Sequence, residues 1–275
     1  MNCPVISVLM GVYYKREDTE LLDISISSIL NQTFTDFELL ICDDGSNEKA
    51  VRLIDDFAQK DSRVRVVRQG DLFLLPQKLN ACLKAARGRF VARMDDDDYS
   101  YPQRFEKQLE FLNKTEDIAF AGCNVNLKRN GEICGKRVFP HYPTVEDFYF
   151  TQPFIHPTLI FRKDALLQVN GYSEEPHCIL CEDYDLLLRL YEKGFNGANL
   201  QEILFDYTIK VSAKDGRKMS HRWNECVTRY NRFKALNVLP KAWPYVIKPL
   251  AVGMLPEPVL AKLKSLKERR KQIKV

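Results

Sequence analysis

The sequence predicts an α/β fold with a mostly parallel central sheet, and three observations predict it. Short apolar runs alternate with helical segments through the first hundred residues. The runs are continuous rather than alternating, as in strands buried on both faces. Two of them end in carboxylates, Asp43-Asp44 and the four aspartates at 95–98. Those are the strand ends beyond which doubly wound sheets bind their ligands.

Taken in order, VISVLMGV (5–12) is the first strand. The segment 18–33 places Leu22, Ile26, Ile29 and Leu30 at helical steps. FELLICD (37–43) is the second strand, and the helix after it starts from Ser46 or Asn47 as N-cap. RVRVV (63–67) is a third strand, PQKLNACLKAARG (76–88) a helix stopped by Gly88, and RFVARM (89–94) a fourth strand. Beyond Arg104 the alternation loosens. A helix at 104–115 precedes a hairpin at 118–139 turning on Asn130-Gly131. A strand then begins at His156-Pro157 and runs into a short helix. Helices follow at 181–194, with Glu182 and Asp183 in the first turn, and at 221–236.

Composition bounds the function. The chain has 275 residues, of which 45% are apolar and 11% aromatic, enough for one large globular domain with an extension. Eight cysteines are scattered, and Cys42 and Cys82 sit in apolar runs as small hydrophobes. The first residues show no charged start or small-residue cleavage site, so a reducing cytosol is the expected home. No apolar stretch reaches the roughly 18–20 residues that span a bilayer. The net charge of +4 is uneven: residues 241–275 hold nine Lys/Arg and two Glu, leaving the body at −3. In that tail Val259, Leu260, Leu263 and Leu266 form an apolar face ringed by basic residues, suited to an anionic membrane surface. No motif for nucleic acid accompanies the charge.

Four carboxylates at a strand end suit a hard divalent cation, Mg²⁺ or Mn²⁺, whose shell a substrate's phosphates complete. A Ca²⁺ loop fails on spacing, because Tyr99 stands at the third ligand position with no Gly after it. An acidic solvated loop is the plain alternative. Cys178 and Cys181 lack the second pair that a structural zinc site needs. His156 fits either an acceptor pocket or a hydrogen-bonded core position.

Together VISVLMGVYYKRED, SISSILNQTFTDFELLICDDGS, LNACLKAARGRFVARMDDDD, HPTLIFRKDAL and EDYDLLLRL resemble family 2 glycosyltransferases of the GT-A fold, over roughly residues 4–210. The resemblance implies an inverting, metal-dependent enzyme using a nucleotide-sugar, UDP-linked for preference, in bacterial surface-polysaccharide synthesis. It implies donor contacts at Val12 and Tyr14, within the strand-end stretch that packs on the nucleobase. Asp44 would accept a hydrogen bond from uracil beside Asp43. Asp95 and Asp96 would face the ribose and Asp97 would hold Mn²⁺ or Mg²⁺. Asp183, beside Glu182, would be the general base; either acid of that pair could instead serve the helix dipole. Residues 1–238 would form the GT-A domain, with 1–104 as the donor half and 105–238 as the acceptor half. Residues 239–275 would be a basic amphipathic extension, a C-terminal helical tail.

Some positions depart from the family pattern. Gly11 and Tyr14 replace its usual Pro and Asn. The family's late basic position follows a strand that begins at Phe205 here, and only Lys210, Lys214, Arg217 and Lys218 are candidates for it. SHRW lacks the Gln of processive polymerases, so single-sugar transfer to a glycan or lipid-linked acceptor is expected, at the inner face of the cell membrane. The rivals are an inactive scaffold or membrane adaptor, and a sugar-phosphate nucleotidyltransferase. The latter needs a Gly-rich basic loop after the first strand, where this chain has GVYYKREDTE.

Overall fold

The computed structural model describes residues 3–68, 70, 74–209 and 218–254. The first half runs β1 (Ile6–Val12), α1 (Glu20–Leu30), β2 (Phe37–Asp43), α2 (Glu48–Lys60), β3 (Val64–Val66), α3 (Leu75–Ala85) and β4 (Phe90–Arg93). The four strands pair in parallel in the order β3-β2-β1-β4. They are apolar along their length because helices cover both faces. Ile6, Val8, Met10 and Val12 enter one core with Leu22 and Ile26 of α1 and Ile54 of α2. Leu9 and Leu40 enter the other with Leu79 and Cys82 of α3. Asn47 caps α2, its side chain accepting from the Ala50 amide at 2.9 Å.

The second half runs β5 (Tyr99–Ser100), α4 (Arg104–Lys114), β6 (Ile118–Arg129), β7 (Glu132–Arg137), α5 (Asp147–Phe150), β8 (Ile160–Arg162), α6 (Lys163–Gln168), α7 (Glu182–Glu192), β9 (Asn196–Thr208), α8 (Met219–Ala235) and α9 (Leu239–Met254). It extends the sheet as β4-β8-β6-β9-β5, with β7 on β6. Here pairing is mixed: β8 is antiparallel to β4 and β6, while β6 and β9 are parallel. Asn130 and Gly131 both take positive φ, 49° and 85°, as the expected two-residue hairpin turn requires.

Two elements differ from expectation. His156, Pro157 and Thr158 form a 3-10 turn ahead of β8 rather than starting the strand, since proline has no N–H to give a ladder. The late strand expected around Phe205 is the second half of a longer β9 that starts at Asn196. The expected helical extension is helical over residues 239–254, which form α9; it contains Pro244 and Pro249 and buries Ala242 and Val246. The basic amphipathic stretch at 259–271 lies outside the described residues, as do Lys210, Lys214 and Arg217.

Candidate active site

The site lies beyond the carboxyl ends of β1, β2 and β4. At β1, Gly11 lets α3 approach closely: a Cβ there would stand 2.9 Å from Leu75 and 3.2 Å from Lys78. This approach carries Lys78 into the interior, where it is 2% exposed. Its ammonium donates to the Val12 carbonyl at 2.5 Å and the Asp44 carbonyl at 3.2 Å, and stands 5.2 Å from the Tyr13 ring centre. Burial lowers its proton affinity, and Asp43 and Asp44 oppose that. Ser46 donates to the Asp43 carboxylate and accepts from the Tyr14 amide at 2.8 Å, locking the two strand ends together. The inner carboxylate oxygen of Asp44, Oδ2, is buried and has no hydrogen-bond partner among the described residues. The Tyr14 hydroxyl is likewise buried and unpartnered there, and burial holds its phenol protonated.

The four aspartates divide. Asp95 pairs with Arg93, whose side chain is 1% exposed and also donates to the Leu9 carbonyl at 3.4 Å. Asp96 is close enough to Lys78 and Tyr14 to perturb the charge of both. Asp97 acts on Asp98 and Tyr207. Asp98 is a structural residue: it is 2% exposed and accepts from the Thr208 amide at 2.7 Å, tying the loop to β9. Burial, then repulsion from Asp95, holds its carboxyl well above the usual range. Its carbonyl accepts from Ser25 at 2.6 Å, fixing the loop to α1 as well.

Opposite this loop is the start of α7. Leu180, just before it, has a φ of +63°, a conformation that costs a bulky side chain and is tolerated only where the surroundings impose it. Glu182 and Asp183 follow. Asp183 Oδ2 accepts from Gln152 Nε2 at 3.0 Å and Oδ1 from the Tyr184 amide at 2.7 Å. Burial, and then the Asp183 charge, pushes Glu182 up to about 7. A cavity of about 450 Å³ is lined by Arg93 and Asp95 from the end of β4, by Glu182 and Asp183 from the start of α7, and by Tyr207 and Arg137. Burial and the surrounding carboxylates keep the Tyr207 phenol protonated. His156 also lines the cavity, with Nε2 at 2.9 Å from the Tyr172 hydroxyl, and burial then Arg93 keeps its ring neutral.

Of the residues expected from sequence, Asp95, Glu182 and Asp183 meet in this cavity, while Val12, Tyr14, Asp43 and Asp44 gather at the β1 and β2 ends around Lys78. Lys78, Arg93, Gln152 and Tyr207 were not anticipated. Arg93 had a signal: a basic residue inside an apolar strand next to four acids. Lys78 had a fainter one, since it falls on the apolar face of α3 with Leu75, Leu79 and Cys82. Cys178 and Cys181 are both buried, and the Cys181 thiol lies 3.4 Å from the Thr228 hydroxyl. Among the described residues, no three His, Cys, Asp or Glu side chains converge into a closed metal cage.

This chain matches the Glycosyl transferase family 2 model over residues 7–169, from β1 to the end of α6. It is 33% identical over 229 residues to the O-antigen biosynthesis glycosyltransferase WbnJ of Escherichia coli, covering 82% of this chain and 86% of that one. Its fold is shared with TarS of S. aureus in complex with UDP-GlcNAc, at a TM-score of 0.67 and 17% identity over 92% of this chain and 76% of the other. The mannosyltransferase PcManGT of Pyrobaculum calidifontis, in complex with GDP-Man and Mn²⁺, gives 0.63 and 14% over 97% and 80%. The family match spans well over half the chain and includes every donor-end residue described above, so this chain is a glycosyltransferase of family 2, built on the GT-A fold.

Proposed function

We propose that the enzyme moves one sugar, with inversion, from a UDP-sugar to a glycan or lipid-linked acceptor in cell-surface polysaccharide synthesis. One observation carries this: carboxylates from two separate elements, Asp95 of the β4 loop and Glu182 and Asp183 at the start of α7, line one cavity. Inverting transfer needs that separation, with a base on one side of the anomeric carbon and a stabilised leaving group on the other. The buried, unpartnered Asp44 Oδ2 is an acceptor suited to a uracil N–H, with Val12, Tyr14 and Asp43 around it and Asp95 and Asp96 toward the ribose. WbnJ, named for O-antigen biosynthesis, and TarS, with UDP-GlcNAc bound, support the pathway and the donor.

Asp183 is the base in this scheme. Two donors fix its carboxylate in place, while Glu182 beside it retains a proton over much of the neutral range. Asp97 would hold Mn²⁺ or Mg²⁺. With no closed cage among the described residues, the fit is that of a cation held by one or two carboxylates and completed by a diphosphate. When bound, the cation offsets charge developing on the leaving diphosphate. The tail at 259–271 is the candidate for contact with the inner face of the membrane, beside a lipid-linked acceptor.

The test is thermal unfolding against UDP-, GDP- and dTDP-sugars with and without Mn²⁺. Donor at about 100 Kd stabilises by roughly 2.7 kcal/mol. A shift with UDP-sugar that needs Mn²⁺ and vanishes in Asp97→Ala supports the proposal. A shift with another nucleotide, or one indifferent to Asp97, overturns the donor or metal assignment.

A further inference from the structure

We propose that the outer face of the α8/α9 hairpin seats the folded enzyme on an anionic lipid bilayer, a contact separate from that of the tail. Six large apolar residues stand exposed on these two helices: Met219, Trp223 and Tyr230 on α8, and Trp243, Ile247 and Met254 on α9. Trp223 is 59% exposed and Trp243 49%. They flank the seam between the helices. Tyr230 and Trp243 meet across it with ring centres 6.2 Å apart, and a Cβ on Gly253 would lie 3.3 Å from Met219. Aromatic residues with a polar edge prefer the membrane–water interface, and an apolar helix face lies in it.

Charge selects the kind of partner. Across residues 218–254 the single acidic side chain is Glu225, which lines the catalytic cavity and pairs with Arg229 at 2.9 Å. Lys218, Lys234 and Lys241 are exposed on the same pair of helices. The 21 residues that follow Met254 add seven Lys/Arg against two Glu. A surface with aromatic residues, lysines and no exposed carboxylate complements anionic head groups. Another copy of this chain would bring the same positive charge.

The hairpin also adjoins the reaction. Glu225 and Arg229 of α8 line the cavity, with Trp223 and Tyr230 exposed on the same helix. On α9, Lys248 stands 3.5 Å from the Phe150 ring centre, next to Thr151 and Gln152 at the cavity wall. The hairpin therefore presents one face to the cavity and another to the bilayer.

Trp223 and Trp243 are the only two tryptophans in the chain, so intrinsic fluorescence reports on this face alone. The experiment adds the full-length protein to phosphatidylcholine vesicles with and without phosphatidylglycerol, some carrying bromine on the acyl chains. The expected result is a blue shift and bromine quenching with the anionic vesicles, weakened by salt. Trp223→Ser combined with Trp243→Ser should lower the vesicle partition by about tenfold or more in sedimentation, because the buried apolar area is lost. Vesicle binding without quenching would place the contact in the tail and overturn the proposal. So would absence of binding, or self-association that shields both tryptophans without lipid.

Discussion

Replacing Glu182 by Gln should stabilise the enzyme at alkaline pH and leave it unchanged at acid pH. The ionised carboxylate is disfavoured first by burial and then by Asp183, so its proton affinity rises from the usual value near 4.5 to about 7. At about 1.4 kcal/mol per pH unit, that displacement corresponds to about 3 kcal/mol. The folded state binds the extra proton between these two values. Stability is therefore full below pH 4.5 and declines as pH rises through 7. Gln keeps the shape, carries no charge and does not titrate. Urea unfolding of the metal-free proteins from pH 4.5 to 8.5 should show the curves together at the acid end. At the alkaline end the variant should be ahead by about 2–3 kcal/mol. In an Asp183→Asn background the divergence should start at the same pH but shrink and level off at lower pH, since one of the two causes is gone. A difference independent of pH, or a variant less stable at pH 8, would refute the reasoning, because Glu182 would then be ionised and well solvated in the folded protein.

Asp97→Asn should abolish the Mn²⁺-dependent thermal shift with donor and cost about three orders of magnitude in kcat/KM, measured with labelled sugar donor. Its neighbour should behave oppositely. Asp98→Asn keeps an oxygen for the Thr208 amide, so transfer should stay within a few fold and stability at pH 7 within about 1 kcal/mol. Asp183→Asn should lower turnover by about 10²–10⁴ while donor binding, read by the same thermal shift, is retained. Gly11→Ala would press a methyl group on Leu75 and Lys78, destabilising by about 1–3 kcal/mol in urea and weakening donor binding as α3 is pushed away.

The parallel half of the fold was legible because each strand is an unbroken apolar run and each helix keeps its own period. Asp43, Asp44 and the run from Asp95 to Asp97 stood out as candidates because like charges cluster there at the ends of apolar runs, and Glu182-Asp183 stood out through the family resemblance of EDYDLLLRL. Lys78 was obscured by chemistry: one lysine in a helix resembles a solvated residue until Gly11 is seen to admit it. Gln152 and Tyr207 were hidden by distance along the chain, since they reach the site only through the closure of the second half of the sheet. The start of β9 was masked by Gln201 and Glu202, which interrupt the apolar pattern. The helical C-terminal extension was legible, and α9 keeps its helix through Pro244 and Pro249 while packed against α8.

The strand order has one more consequence. β4 pairs in parallel with β1, and its other edge receives β8 in the opposite direction. The residues gathered at the ends of β1, β2 and β4 therefore belong to one contiguous block of chain, while Arg137, Gln152, Asp183 and Arg229 arrive from later segments across that junction. Inheritance can act on the two blocks separately. The segments at 140–155 and 170–181 lie outside the sheet and can lengthen, shorten or exchange side chains while the four parallel strands keep their register, so one platform can be retained while its descendants diverge in the molecules they decorate.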